Sequence, residues 1–146
     1  MADIVLDANA LILLLNSKYV DQVIKMCDHI FISKSWKRIY RGIPVLQHGF
    51  PTLMNSFKKL YKKKKIHEVS GKANLPNVIE RELRKVKASA DDFEISRIAY
   101  DRKIRGQDIY LVSDDFHILR LCLVFKKSGI YVEKRKEELK RLHIWS

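Results

Sequence analysis

The stretch that most constrains the fold is Ile4-Val5-Leu6, an unbroken apolar run that stops at Asp7. A strand with one wet face alternates apolar and polar residues. An unbroken run belongs to a strand covered on both faces, as in a parallel sheet between layers of helices. Leu11 to Leu15 then reads as the buried start of a helix. Asp7 thus falls at the carboxyl end of a central strand, where open α/β sheets place their ligand sites. A carboxylate there is costly unless its charge is answered. Two answers are open at this point: a ligand site, or a plain helix cap by Asp7 or Asn9.

The rest of the chain repeats the alternation of short apolar strands with helical stripes. Residues 19, 20, 23, 24, 26 and 27 form a helical stripe, and Ile30-Phe31-Ile32 is a second strand. Ser33 and Ser35 are candidate caps for a helix from Trp36 to Arg41. Val45 to Tyr61 reads as one or two helices broken at Gly49-Phe50-Pro51, and His67 to Asn74 as a loop. Asn77-x-x-Glu80 and Ser89-x-x-Asp92 are capping-box patterns opening helices to about Val86 and Ile104. Ile109 to Val112 is a buried strand, Ser113-Asp114-Asp115 a polar turn, and Phe116 to Lys127 a helix. Ile130 to Val132 is a last strand, followed by a charged tail from Glu133. The expectation is one α/β domain over residues 1–146, with a parallel sheet of four or five strands, four of them read outright, flanked by helices in three layers.

Charge narrows the partners. Lys and Arg number 29 against 17 Asp and Glu, a net charge of +12. Such a field favours polyanions, and nucleic acid is the usual one. No apolar run approaches a membrane span, since Asp7 and Asn9 interrupt the longest. The start of the chain, with Asp3 and no leading cations, does not read as a secretory signal. Cys27 and Cys122 sit in apolar-periodic segments and read as buried free thiols, which fits a cytoplasmic protein. Without CxxC or HExxH, and with five scattered histidines, no zinc site is expected.

Three acidic spots fall at related places. Asp7 ends the first strand, Asp114 and Asp115 follow another buried strand, and Asp92 lies in the first turn of the helix leading toward it. On that helix Asp92 shares a face with Ile95 and Ala99, so it sits at the tip of the buried stripe. Carboxylates converging at one sheet edge repel one another unless a divalent cation sits between them. An all-oxygen group without His or Cys suits Mg²⁺ or Mn²⁺. The competing reading makes Asp92 the third member of a capping box and Asp114 or Asp115 a cap for the next helix.

At these residues the chain resembles PIN domains (PilT N-terminus). Ile4-Val-Leu-Asp-Ala-Asn9 resembles their opening motif, and Asp92-Phe-Glu-Ile-Ser-Arg-Ile-Ala-Tyr100 their third acidic motif. Leu111-Val-Ser-Asp-Asp-Phe116 resembles the last motif, and order and spacing match from residue 4 to about 132. The resemblance implies a PIN fold and a Mg²⁺- or Mn²⁺-dependent endoribonuclease that is frequently a homodimer. The group includes VapC-type toxins, which have an antitoxin protein as partner, and ribosomal-RNA-processing nucleases. It implies that Asp7, Asp92 and Asp115 hold the metal, with Asp114 as the fallback for Asp115, and that Asn9 and Ser113 orient that shell.

One departure stands out. The family carries an acid on the helix after its second strand, whereas Ser33-Lys-Ser-Trp-Lys-Arg-Ile-Tyr-Arg41 has none and holds four cations. Glu68, Glu80 or Glu82 are the candidates to replace it. The alternative is a PIN-like RNA-binding module without hydrolysis, with Arg41, Lys58, Lys59, Lys62, Lys63, Lys64 and Lys65 on phosphates. The lysine run reads equally as a solvated helix end, favoured there by the helix dipole. An Asp-x-Asp phosphohydrolase is disfavoured, because position 9 is Asn.

Overall fold

The computed structural model describes residues 3–15, 17–36, 38, 55, 57–59, 61–105 and 108–141. Its sheet has five strands, all parallel: β1 (Asp3–Leu6), β2 (Ile30–Ser33), β3 (Ile66–Val69), β4 (Ile109–Val112) and β5 (Ile130–Glu133). Their order across the sheet is β3-β2-β1-β4-β5. All four residues of β1 are buried. The strand is central, with Val5 facing Phe31 of β2 and Leu111 of β4 in register.

Alternation along the strands divides the core into two layers. Ile4, Leu6, Ile30, Ile32 and Val112 pack against α1 (Ala8–Leu15) and α2 (Val20–Met26). Val5, Phe31, Ile109, Leu111 and Ile130 pack against four helices on the opposite face. These are α3 (Asn77–Lys85), α4 (Ala90–Lys103), α5 (Phe116–Leu119) and α6 (Cys122–Lys127). The result is the expected three-layer α/β arrangement. Helix α1 is eight residues long, too short to persist alone. It holds because Ala10, Leu11, Ile12, Leu14 and Leu15 are buried, each large apolar side chain contributing about 1.5–3 kcal/mol.

Several expectations are corrected. Residues 67–69, read as the start of a loop over 67–74, belong with Ile66 to β3. As an edge strand it buries only Ile66 fully and mixes His67 and Glu68 into its span, so it lacks the unbroken apolar run that marks a central strand. The single helix expected over 116–127 is two, because the Leu121 N–H turns to the Ile118 carbonyl at 3.1 Å, a tighter three-residue step. The Asn77–Glu80 capping box does not form: Pro76 is the cap, and Glu80 instead accepts from Arg84 at 2.9 Å. Cys27 is buried, but Cys122 is exposed.

The charged tail is also structured, as the end of β5 and helix α7 (Arg135–Arg141). Arg141 holds Glu133 at 2.7 Å and lies 3.6 Å over the Tyr110 ring. Burial pushes the Glu138 carboxyl up to about 7. Of the helices expected over 36–41 and 45–61, Trp36, Arg38, Asn55, 57–59 and 61–62 are helical, and the remainder lies outside the described residues. Among the described residues no helix is long and apolar enough to cross a membrane.

Candidate functional site

Chain order reverses between β1 and β4. From β1 the chain builds outward to β2 and β3, then returns to the other side of β1 for β4 and β5. At such a switch point the connections leave in opposite directions and open a crevice at the carboxyl ends of the strands. Asp7 stands one residue past β1, and Ser113, Asp114 and Asp115 follow β4. The Asp7 N–H donates to the Val112 carbonyl at 3.2 Å, tying the two strand ends together.

In that crevice Asp7, Asp92 and Asp115 line one cleft of about 150 Å³, with Ala8, Asn9, Ser33, Ser35, Ser89, Asp91 and Ile95. Each of the three carboxylates also holds a helix N-terminus. Asp7 Oδ1 accepts from the Ala10 N–H at 2.8 Å, capping α1. Asp92 and Ser89 form a reciprocal capping box on α4, at 3.0 and 3.2 Å. Asp115 Oδ1 accepts from the His117 N–H at 2.8 Å, capping α5. Capping and site are therefore not alternatives here: the caps aim three helix starts, with their partial positive charge, at one acidic cleft. That arrangement offsets part of the repulsion between the carboxylates.

Ser113 ties two of the acids together. It is fully buried, its hydroxyl donates to Asp7 Oδ2, and its oxygen accepts from the Asp115 N–H at 2.9 Å. Burial pushes the Asp7 carboxyl up to about 6; the bonds from Ser113 and Ala10 oppose this, while the charges of Asp115 and Asp114 add to it. Asp92 is also raised, by burial first and by the charge of Asp115 among the smaller causes. Asp115 is thus coupled to both other acids.

The remaining assignments divide. Asn9 is exposed and lines the cleft beside Asp7. Asp114 is exposed and lines a neighbouring cavity of about 300 Å³ with Asn9, Ile12, Leu13 and Asp115. Glu68 is on β3 and does not line the cleft. Glu80 and Glu82 pair with Arg84 and Lys85 on α3. The acid that does reach the cleft is Asp91, which sequence reasoning missed. Its signal was adjacency to Asp92 in the first turn of α4, and it pairs with Arg38 at 2.9 Å. At and just after the end of β2, on the cleft wall, the Ser33 and Ser35 hydroxyls bond one another at 2.8 Å.

The lysine run lies elsewhere. Lys65 immediately precedes β3, so the run leads into the amino edge of the sheet, opposite the cleft. Lys59 pairs with Asp21 at 2.6 Å and Lys65 donates to the Cys27 carbonyl at 2.9 Å, whereas Lys58, Lys62, Lys63 and Lys64 are exposed. Arg41 lies outside the described residues.

The donors facing the cleft are all oxygen, the chemistry that hard divalent cations prefer. Among the described residues no three acidic, histidine or cysteine side chains close into a metal cage. An open lining of this kind fits Mg²⁺ or Mn²⁺ held through one or two carboxylates and several waters, not an ion stripped of its waters. No protein-family model, no curated protein and no solved structure matches the chain.

Proposed function

We propose that the chain is a divalent-metal-dependent endoribonuclease of the PIN type, hydrolysing RNA phosphodiester bonds at the cleft of Asp7, Asp92 and Asp115. The observation that carries this reading is the meeting of those three carboxylates, from three separate elements, in one cleft at the switch point of the sheet. The net charge of +12 supplies the field for a polyanionic substrate.

Mg²⁺ or Mn²⁺ would be held through one or two of Asp7, Asp92 and Asp115, with waters completing its shell. When bound, such an ion supplies a water acidic enough to attack near neutral pH and neutralises charge on the phosphate. Ser113 holds Asp7 in one orientation, as outer-shell groups do for ligating side chains. Asn9 presents an amide on the cleft wall. Asp91, on the cleft wall, pairs with the exposed Arg38 at 2.9 Å.

The paired hydroxyls of Ser33 and Ser35 favour a second reading, an RNA-binding module without hydrolysis, since they leave that wall with fewer anionic donors. The experiment that separates the two uses purified protein and a labelled single-stranded RNA with and without Mn²⁺. Expected is weak cleavage, greater with Mn²⁺ than Mg²⁺, abolished by chelator and by Asp115→Asn. Asn remains a good N-cap, so the substitution removes the charge while keeping the start of α5. Equal cleavage by wild type and Asp115→Asn would assign the activity to another site or a contaminant. Binding without cleavage under every metal would establish the module reading.

A further inference from the structure

Phe116 directly follows Asp115 at the start of α5, yet it is 65% exposed, whereas Ile118 two residues on is fully buried. Leaving a phenyl group in water forgoes about 1.5–3 kcal/mol of burial, and nothing in the core requires it. The guanidinium of Arg120, one turn on, lies 5.1 Å from the ring centroid. With one ring face beside a cation and most of the residue open, Phe116 offers a flat apolar platform next to a positive charge. The acidic cleft also continues, across Asn9 and Asp115, into the 300 Å³ cavity walled by Ile12 and the partly exposed Leu13. The two cavities share Asn9 and Asp115, so the apolar wall of the second borders the cleft.

We infer that Phe116 and Arg120 form a base-stacking subsite for single-stranded RNA, placing a nucleobase beside the cleft while its phosphate lies toward Asp7 and Asp115. Every base has a π-face, so stacking on an aromatic side chain tolerates any sequence but requires an unpaired base. A cation at the ring serves twice, through its attraction to the aromatic face and to the flanking phosphate. A second copy of this chain would also cover an exposed phenyl group, but the adjoining Arg120 and the strongly basic chain favour a polyanion over a like-charged copy. The inference rests on RNA binding at this cleft but not on hydrolysis there.

The test is binding of a short single-stranded RNA carrying 2-aminopurine, in Ca²⁺ so that a divalent cation answers the carboxylates of the cleft, with the RNA checked by gel to stay intact. Wild type, Phe116→Ala, Phe116→Leu and Arg120→Gln are compared, with circular dichroism melts to confirm folding. Stacking should quench the 2-aminopurine in wild type. Phe116→Ala should bind about 5- to 100-fold more weakly, as expected for one lost stacked base. Phe116→Leu should also lose the quenching, because it keeps apolar bulk and removes the flat ring. Arg120→Gln should weaken binding and reduce its salt dependence. A fully paired RNA should be indifferent to Phe116. Unchanged affinity and quenching in Phe116→Ala, or no RNA binding by wild type, would overturn the inference. So would a change of mass by light scattering in Phe116→Ala with RNA affinity intact, which would make the surface a contact between copies. Phe116-dependent binding with no cleavage under any metal would support the subsite and remove the nuclease reading. Cleavage with equal KM in wild type and Phe116→Ala would do the reverse.

Discussion

Asp7 is the residue on which fold and site meet. It caps α1, receives the Ser113 hydroxyl, ties β1 to β4 through its N–H, and lines the cleft. Burial raises its carboxyl from 3.8 to about 6. A raised acid binds its proton more tightly in the folded state than in the unfolded one, so folding stability is lost as pH rises from about 3.8 through about 6. The loss is complete above that window and amounts to at most about 3 kcal/mol. Asp7→Asn should therefore raise the metal-free Tm at pH 7 but leave it nearly unchanged at pH 4. Added Mn²⁺ should raise the Tm of wild type and not of the variant, because an ion that binds only the folded state stabilises it by mass action. Equal Tm differences at the two pH values, measured by calorimetry, would show that Asp7 does not carry this charge penalty.

Among the elements, the local signals were the legible ones. The Ser89–Asp92 capping box forms as its four-residue pattern predicts, because both partners lie within one turn. The similar Asn77–Glu80 pattern fails, since Glu80 has an Arg84 partner four residues on and Pro76 takes the cap position. β3 escaped notice because pairing with β2 makes it a strand, as in Ile30 to Ile66 and Ile32 to Glu68, and pairing has no local pattern at a half-exposed edge. The loop after β3 then lies against α4. The Gly71 N–H donates to Glu94 Oε1 at 2.9 Å, and a Cβ at Gly71 would stand 2.5 Å from Arg97 Cβ and 2.9 Å from the Glu94 carbonyl oxygen. Gly71→Ala should push the loop off α4 and cost about 1–3 kcal/mol, as overpacking does. A urea unfolding curve checks this, and an unchanged midpoint would mean that the loop moves aside freely.

At the scale of the whole molecule, the acidic cleft and the lysine run occupy opposite edges of the sheet. The cleft lies at the carboxyl ends of the strands, and Lys62 to Lys65 lead into the amino edge at β3. Strands of four residues span about 13 Å. A long RNA can reach both edges; a short oligonucleotide seated in the cleft has little need of the second. Replacing Lys62, Lys63 and Lys64 by Gln should lower affinity for long RNA and flatten its salt dependence, by about 0.7 in log–log slope for each single-strand phosphate no longer neutralised. Saturated cleavage of a short oligonucleotide should not change. An unaltered salt slope would show that these lysines are a solvated turn and that phosphates are held elsewhere.

What the sequence by itself determined are features written in consecutive residues: the buried strands Ile4–Leu6 and Ile109–Val112, the capping box before α4, the α/β class and the basic charge. Each depends on composition or on a period of two to four residues, so neighbours along the chain suffice. Tertiary structure alone decided what depends on strand order and helix docking. It brought Asp91 into the cleft beside Asp7, set the Ser33–Ser35 pair in the same wall, made the tail a helix over Tyr110, and left Phe116 exposed beside Asp115. It also joined His29 and His67, 38 residues apart and scattered in the sequence, at 3.0 Å. The physical reason is that a side chain's partners across a parallel sheet arrive from distant crossovers, and no short-range period encodes which strands become neighbours.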